Sequence, residues 1–232
     1  MQIPALSVVV PVLNDAGNVD MMASEIFDVL TGRVRFEVIF VDDGSHDASC
    51  QEVERIMLER PNVSLLRHES TRGQSAAVRT GVRAAQAEIV AVIDCEGQID
   101  PRELPKLYGQ LVSVPKLRLV IGERCAQPGH WWQRTASRIG SAIRERIVRD
   151  GVRDPGCGIK VFYRAEYLEL PAFDHMHRFL PALVQRNGGM VWSLPVRCLA
   201  RGPGLVKARA DNRAWAGLSD MLGVMWLQKR RL

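Results

Sequence analysis

No run of apolar residues in this 232-residue chain approaches the roughly 20 needed to cross a bilayer, so no membrane-spanning helix is expected. The first apolar stretch, within MQIPALSVVVPVLND, has no basic residues ahead of it, so a secretory leader is not expected. Cytoplasmic residence is the expectation. Cysteine is scarce: the five present are an odd number without a C-x-x-C pair, arguing against a disulfide framework or zinc knuckle and for reduced thiols packed as small core residues. No G-x-G-x-x-G follows the first apolar run, so a nicotinamide-dependent oxidoreductase is not supported. The chain also lacks any recognised RNA- or DNA-binding motif, internal repeat or low-complexity tract, and no nucleic-acid partner is expected.

What is present suits one sizeable folded domain: 47% of residues are hydrophobic and 25% charged. The net charge of +5 is unevenly spread. Residues 201–232 hold seven Lys/Arg against two Asp, and residues 130–153 hold six Arg against two acids, leaving the rest net acidic. A basic second half beside an acidic first half points to an anionic partner met late in the chain.

Runs over 7–13, 36–41 and 89–93 are apolar throughout instead of alternating, the pattern of strands covered on both faces. Between them, 18–31, 45–59 and 73–87 have helical spacing, with Ser45 placed to cap the second. This alternation predicts an open, mostly parallel α/β sheet with helices on both faces, joined by further strands at 63–67, 117–121, 159–163 and 190–196. Helices are also expected over 131–150, around 178–186, and over 211–228, the last carrying Trp215, Leu218, Leu222, Met225 and Trp226 before Lys229-Arg230-Arg231.

In such sheets ligands bind beyond the carboxyl ends of the strands. Leu13-Asn14-Asp15, Asp42-Asp43-Gly44-Ser45 and Asp94-Cys95-Glu96 stand at three of those ends, delivering acids to one crevice. Asp94 and Glu96, two apart after a buried strand, leave an extended backbone on the same side and can share a cation. Oxygen-only ligands favour Mg2+ or Mn2+, and so sparse a set suits a cation partly held by substrate phosphates. Asp100, with Pro101 next and Glu103 reaching back, is placed to cap the following helix. Asp42 and Asp43 suit hydrogen bonding to base and ribose better than contact with phosphate, since like charges repel.

The succession SVVVPVLND, FEVIFVDDGSHD, RGQSAAVRTGVRAAQAEIVAVIDCEGQIDP, IGER and RDPGCGIKVFYR resembles the family-2 glycosyltransferases of the GT-A (Rossmann-like) fold, in the branch like dolichol-phosphate mannose synthase and bacterial polyprenyl-phosphate sugar transferases. The resemblance extends over nearly the whole chain, and each motif is weaker alone than the set in this order. It implies a donor-binding set of Pro11, Leu13, Asn14 and Asp15, where family members place P-x-Y-N-E, with Asp42, Asp43, Gly44, Arg72 and Gly73. Asp94 and Glu96 match the D-x-D metal pair, assisted by Gln98. Arg124 matches an arginine of a G-S-R motif. Arg134 and Arg138 fall near phosphate-approaching basic residues, and Lys160, Arg201 and Lys207 in the region that grips an acceptor phosphate.

Leu13 stands for the usual Tyr, Asp15 for Glu, Glu96 for Asp, and Val206 for the Ser that usually precedes Lys207. These departures leave open a changed donor preference or a relative that retains nucleotide or lipid without transfer. The resemblance implies inverting transfer of a UDP- or GDP-linked sugar to a polyprenyl phosphate. A sugar hydroxyl acceptor would instead need a carboxylate base, for which Asp154 is the candidate. Residues 1–210 are read as the GT-A domain, 1–125 for the nucleotide sugar and 126–210 for the acceptor. Residues 211–232 are read as a basic amphipathic helix suited to an anionic membrane surface or a membrane partner protein, making the chain peripheral at the inner face of the membrane.

Overall fold

Branched aliphatic runs form the strands because β-branched side chains fit a pleated surface buried on both sides. The computed structural model describes residues 3–96, 98–124, 148–199 and 213–230. In chain order the elements are β1 (Leu6–Val12), α1 (Val19–Leu30), β2 (Phe36–Asp42), α2 (Ser49–Glu59), β3 (Val63–Arg67), α3 (Gln74–Ala84) and β4 (Ile89–Ile93). They continue through a 3-10 turn (Pro101–Glu103), α4 (Leu104–Ser113), β5 (Leu117–Arg124), β6 (Ile159–Tyr163) and α5 (Arg164–Glu169). A second 3-10 turn (Met176–Arg178), α6 (Leu180–Arg186), β7 (Met190–Val196) and α7 (Arg213–Lys229) complete them.

The seven strands form one sheet in the order β3-β2-β1-β4-β6-β5-β7. β1 pairs in parallel with β2 and β4, β2 with β3, and β5 with β7, while β6 runs antiparallel between β4 and β5. Alternate strand residues feed two cores. Val8, Val10, Phe40 and Ile93 pack with α1, α2 and α4 on one face. Val9, Val41, Val92 and Leu119 pack with α3, α5, α6 and α7 on the other. Each such aliphatic side chain, fully removed from water, stabilises the fold by about 1.5–3 kcal/mol.

Two expectations about helix starts are corrected. Ser45 does not cap α2, which begins at Ser49: its N–H donates to the Asp42 carboxylate at 3.2 Å and its Oγ accepts the Asn14 N–H at 2.8 Å. Asp47 instead takes the Ser49 N–H, at 3.0 Å. Asp100 does cap its turn, accepting the Arg102 N–H at 3.0 Å, but Glu103 turns outward to the Arg197 N–H at 3.1 Å. The Arg197 N–H, on the chain leaving β7, thereby has its acceptor.

α3 lies close against β1. A Cβ on Gly81 would fall inside the van der Waals radius of Val9 Cγ1, so only glycine permits this approach. The closeness sets the N-terminus of α3 at the strand ends. α7 docks through buried Val224 with Met221 and Leu227, leaving Leu222 and Trp226 about half exposed at 50% and 53%. Its inward face is therefore not the Leu222–Trp226 side. No helix among the described residues is long and apolar enough to cross a membrane. Of the helix expected over 131–150, only Val148, Arg149 and Asp150 lie among the described residues.

Candidate active site

The crevice is built where β1 parts from its two neighbours. Beyond β1, Asn14 adopts a left-handed backbone (φ 54), a conformation asparagine tolerates through local hydrogen bonding. Its N–H donates to Ser45 Oγ and its Oδ1 accepts the His46 N–H, both at 2.8 Å. The Asp15 N–H reaches Ser49 Oγ at 2.9 Å, and Asp15 Oδ2 accepts the Leu13 N–H at 3.1 Å. Two loops far apart in sequence are thus held as one wall.

Asp43 organises the next wall. Its buried carboxylate accepts the N–H of Arg72 at 2.8 Å and of Gly73 at 2.9 Å, and pairs with His68 Nδ1 at 2.8 Å. His68 Nε2 lies 2.9 Å from Thr80 Oγ1, so the imidazole is held at both nitrogens. Gly44 (φ 82) leaves room for this segment: a Cβ there would meet Ser70 C and Thr71 N at 2.9 Å. Asp42, buried behind Asp43, accepts the Ser45 N–H.

At the end of β4, Asp94 is held from two elements. Gln74, the first residue of α3, donates from Nε2 to Asp94 Oδ1 at 2.7 Å. The Asp94 N–H donates to Gly158 O at 3.0 Å, continuing the β4–β6 ladder. A Cβ on Gly158 would lie 2.6 Å from Asp94 Oδ2, so this seat requires glycine. Burial pushes the Asp94 carboxyl up to about 6, against the Lys160 charge and the Gln74 hydrogen bond, which favour the ionised form. Gln98 donates its amide to Glu96. Asp94 and Glu96 line one cavity of about 440 Å³ with Pro11, Leu13, Asn14, Asp15, Asp43 and Gln74.

The structure therefore gathers Pro11, Leu13, Asn14, Asp15, Asp43, Asp94 and Glu96 around one space, with Asp42, Gly44, Arg72 and Gly73 in the framework behind it. Gln74 and Asp47, also in the lining, were not anticipated from sequence. Arg134, Arg138, Arg201 and Lys207 lie outside the described residues.

Two expected roles do not match their placement. Lys160 is buried, 6% exposed, and its Nζ donates to Cys157 O at 2.6 Å, so it is not an exposed grip for an acceptor. Burial pulls its ammonium below the usual range, while Asp94 favours the charged form. Asp154 is no free base: Arg124 Nε and Nη2 donate to its two carboxylate oxygens at 2.7 and 2.8 Å. Both of its carboxylate oxygens are thus committed to one guanidinium.

Asp94, Glu96 and Gln98 offer oxygen donors of the kind hard divalent cations take, so the residues present fit such an ion. Among the described residues no group of three or more His, Cys, Asp or Glu converges as a ready cage. Two carboxylates with an amide match the sparse protein share typical of a cation that substrate phosphates help to hold.

The mostly parallel sheet, with acids at its strand ends, has the GT-A fold. The chain belongs to glycosyl transferase family 2, whose model matches residues 7–169. Among curated proteins it is 27% identical over 230 residues to the dodecaprenyl-phosphate galacturonate synthase of Rhizobium johnstonii, covering 97% of this chain and 67% of that one. It is 29% identical to the dolichyl-phosphate beta-glucosyltransferase ALG5A of Trichomonas vaginalis, covering 82% of this chain and 64% of the relative. With the undecaprenyl-phosphate 4-deoxy-4-formamido-L-arabinose transferase of Edwardsiella ictaluri it shares 27% identity, covering 86% and 61%. The chain thus spans about three fifths to two thirds of these relatives' lengths. Of solved structures, glucosyl-3-phosphoglycerate synthase from Mycobacterium tuberculosis with Mn2+, UDP-glucose and phosphoglyceric acid superposes with TM-score 0.70 at 18% identity, over 97% of this chain and 79% of that one. The same enzyme with Mg2+ and UDP gives 0.71 at 21%, over 95% and 80%.

Proposed function

We propose that this chain transfers a sugar from a UDP- or GDP-linked donor to a polyprenyl phosphate, with inversion at the anomeric carbon. The observation that carries the reading is the placement of Asp94 and Glu96 in one cavity with the β1 and β2 strand-end residues. Support also comes from three relatives whose names specify polyprenyl-phosphate sugar transfer, and from a structural neighbour holding UDP with Mn2+ or Mg2+.

Asp94, Glu96 and Gln98 would hold a divalent cation, which when bound neutralises charge on the departing nucleotide diphosphate. The Pro11–Asp15 wall orients the donor, and Asp43 fixes the turn that aims Gln74 at Asp94. A phosphate acceptor is ionised near neutral pH, so its oxygen attacks without a protein base. That requirement agrees with Asp154 being committed to Arg124. In this reading residues 1–125 serve the donor and 126–210 the acceptor, Arg134, Arg138, Arg201 and Lys207 grip the acceptor phosphate, and residues 211–232 meet an anionic membrane surface or a membrane partner.

The test is transfer by purified protein from a panel of labelled nucleotide sugars, offered a short polyprenyl phosphate or the matching free alcohol. Lipid-linked product with the phosphate and none with the alcohol is the expected result. Donor binding without product across the panel would replace this reading with that of a nucleotide-binding relative.

A further inference from the structure

We propose that His175 is a positioning residue for the donor crevice: it ties the C-terminal helix α7 to the turn that brackets Gln74, so that the seating of α7 sets the first turn of α3. This rests on the reading that the crevice takes a nucleotide diphosphate.

Each link is a direct contact. On the α7 side, His175 Nδ1 lies 3.2 Å from Asp220 Oδ2. An ionised carboxylate has no proton to give, so the imidazole is the donor. On the α3 side, two neighbours of His175 reach the residues that flank Gln74. Ser75 Oγ accepts the His177 N–H at 3.3 Å and lies 2.8 Å from its Nδ1. Asp174 Oδ1 accepts the His175 N–H at 2.8 Å, and a Cβ on Gly73 would stand 3.3 Å from that same oxygen. Residues 174–177 therefore bear on Gly73 and Ser75, with Gln74 between them donating to Asp94.

Packing fixes the turn in place. Met176 and Phe179 are buried in the same core as Ala77 and Val78 of α3 and Val224 of α7. His175 itself has a left-handed backbone (φ 60), which a non-glycine residue keeps only where its surroundings hold it there. The Asp220 contact is one such hold. Without it the turn relaxes toward an ordinary backbone, and the shift passes through His177 to Ser75 and so to Gln74. None of the described residues that line the cavity belongs to α7, so an effect of Asp220 on nucleotide binding has to travel through this turn.

Full-length wild type, Asp220→Ala, His175→Gly and the double variant are titrated calorimetrically with UDP and with GDP in the presence of Mn2+, alongside Arg186→Gln. Arg186 donates to Leu227 O and Arg230 O, both at 2.9 Å, and Leu227 lies about two helical turns beyond Asp220, so Arg186→Gln loosens α7 without touching the turn. The expected result is a nucleotide Kd raised about threefold to tenfold in Asp220→Ala and in His175→Gly, with no further rise in the double variant and a Kd within about twofold of wild type in Arg186→Gln. Glycine accepts φ 60 freely, so a loss in His175→Gly comes from the missing imidazole and not from a backbone clash. An unchanged Kd in Asp220→Ala, additive losses in the double variant, or an equal rise in Arg186→Gln overturns the proposal. If His175→Gly does not fold, Asp220→Ala against Arg186→Gln decides alone. Wild type that binds neither nucleotide sinks the reading of the crevice, and this inference with it.

Discussion

Arg124 grips Asp154 with two parallel hydrogen bonds, Nε to Oδ2 at 2.7 Å and Nη2 to Oδ1 at 2.8 Å, and its N–H reaches Oδ2 at 3.2 Å. The pair ties the end of β5 to the turn before β6. Asp154→Asn should leave the acidic limb of the pH–rate profile in place, since both carboxylate oxygens of Asp154 are taken by Arg124. Its cost in stability should be about 1 kcal/mol or less, because the Arg124 side chain is 41% exposed and solvent screens the pair. Loss of that limb in Asp154→Asn would make Asp154 a base after all.

Two glycines separate packing from chemistry. Gly81→Ala pushes against Val9 in the core and should cost about 1–3 kcal/mol in urea unfolding while nucleotide affinity is kept. Gly158→Ala places a methyl group 2.6 Å from Asp94 Oδ2 and should lower Mn2+ affinity as well. Equal effects of both variants on Mn2+ binding would contradict the seat described for Asp94.

Asp43 carries a load that its position at a strand end does not announce. Asp43→Ala strands the part-buried N–H groups of Arg72 and Gly73 and releases the buried His68, at a combined cost of about 1–3 kcal/mol. The expected outcome is marked destabilisation by urea, together with weaker Mn2+ binding, because Gln74 follows Gly73 directly.

Asp94 should make metal binding sensitive to acid. Its carboxyl is raised by burial to about 6, and a carboxylate must lose its proton to take a cation, so Mn2+ affinity should fall about tenfold per pH unit below that value. In metal-free protein the sign for stability is opposite to that of a salt-bridged acid. The contribution of protonated Asp94 is fully present below 3.8 and is lost as pH rises through about 6. Melts of Asp94→Asn against wild type over this interval check both the direction and the window.

Much of this arrangement is legible in the chain itself. Unbroken apolar runs mark strands covered on both faces, and β3, β4, β6 and β7 fall where those runs and their neighbours predict. The acids after β1, β2 and β4 meet because parallel strands end on one side. The reversal of β6 is not legible, since strand order and direction are settled by tertiary pairing that no local pattern encodes. Lys160, which the resemblance places where an acceptor phosphate is gripped, is consequently found buried by the pairing with β4. Ser45 reads as a cap by residue type, yet the β1 loop competes for its hydroxyl. Gln74 carries no local signal, and it acquires a role only when α3 packs onto β1 at Gly81.

Whether Asp94 serves sugar transfer by holding a divalent cation is measured most directly by the initial rate of sugar transfer to a polyprenyl phosphate as Mn2+ is returned to chelator-stripped protein. Wild type should be silent without metal and recover with it, while Asp94→Asn should stay about a hundredfold or more below it at every Mn2+ concentration. A metal-independent rate in wild type, or full recovery in Asp94→Asn, would contradict the account.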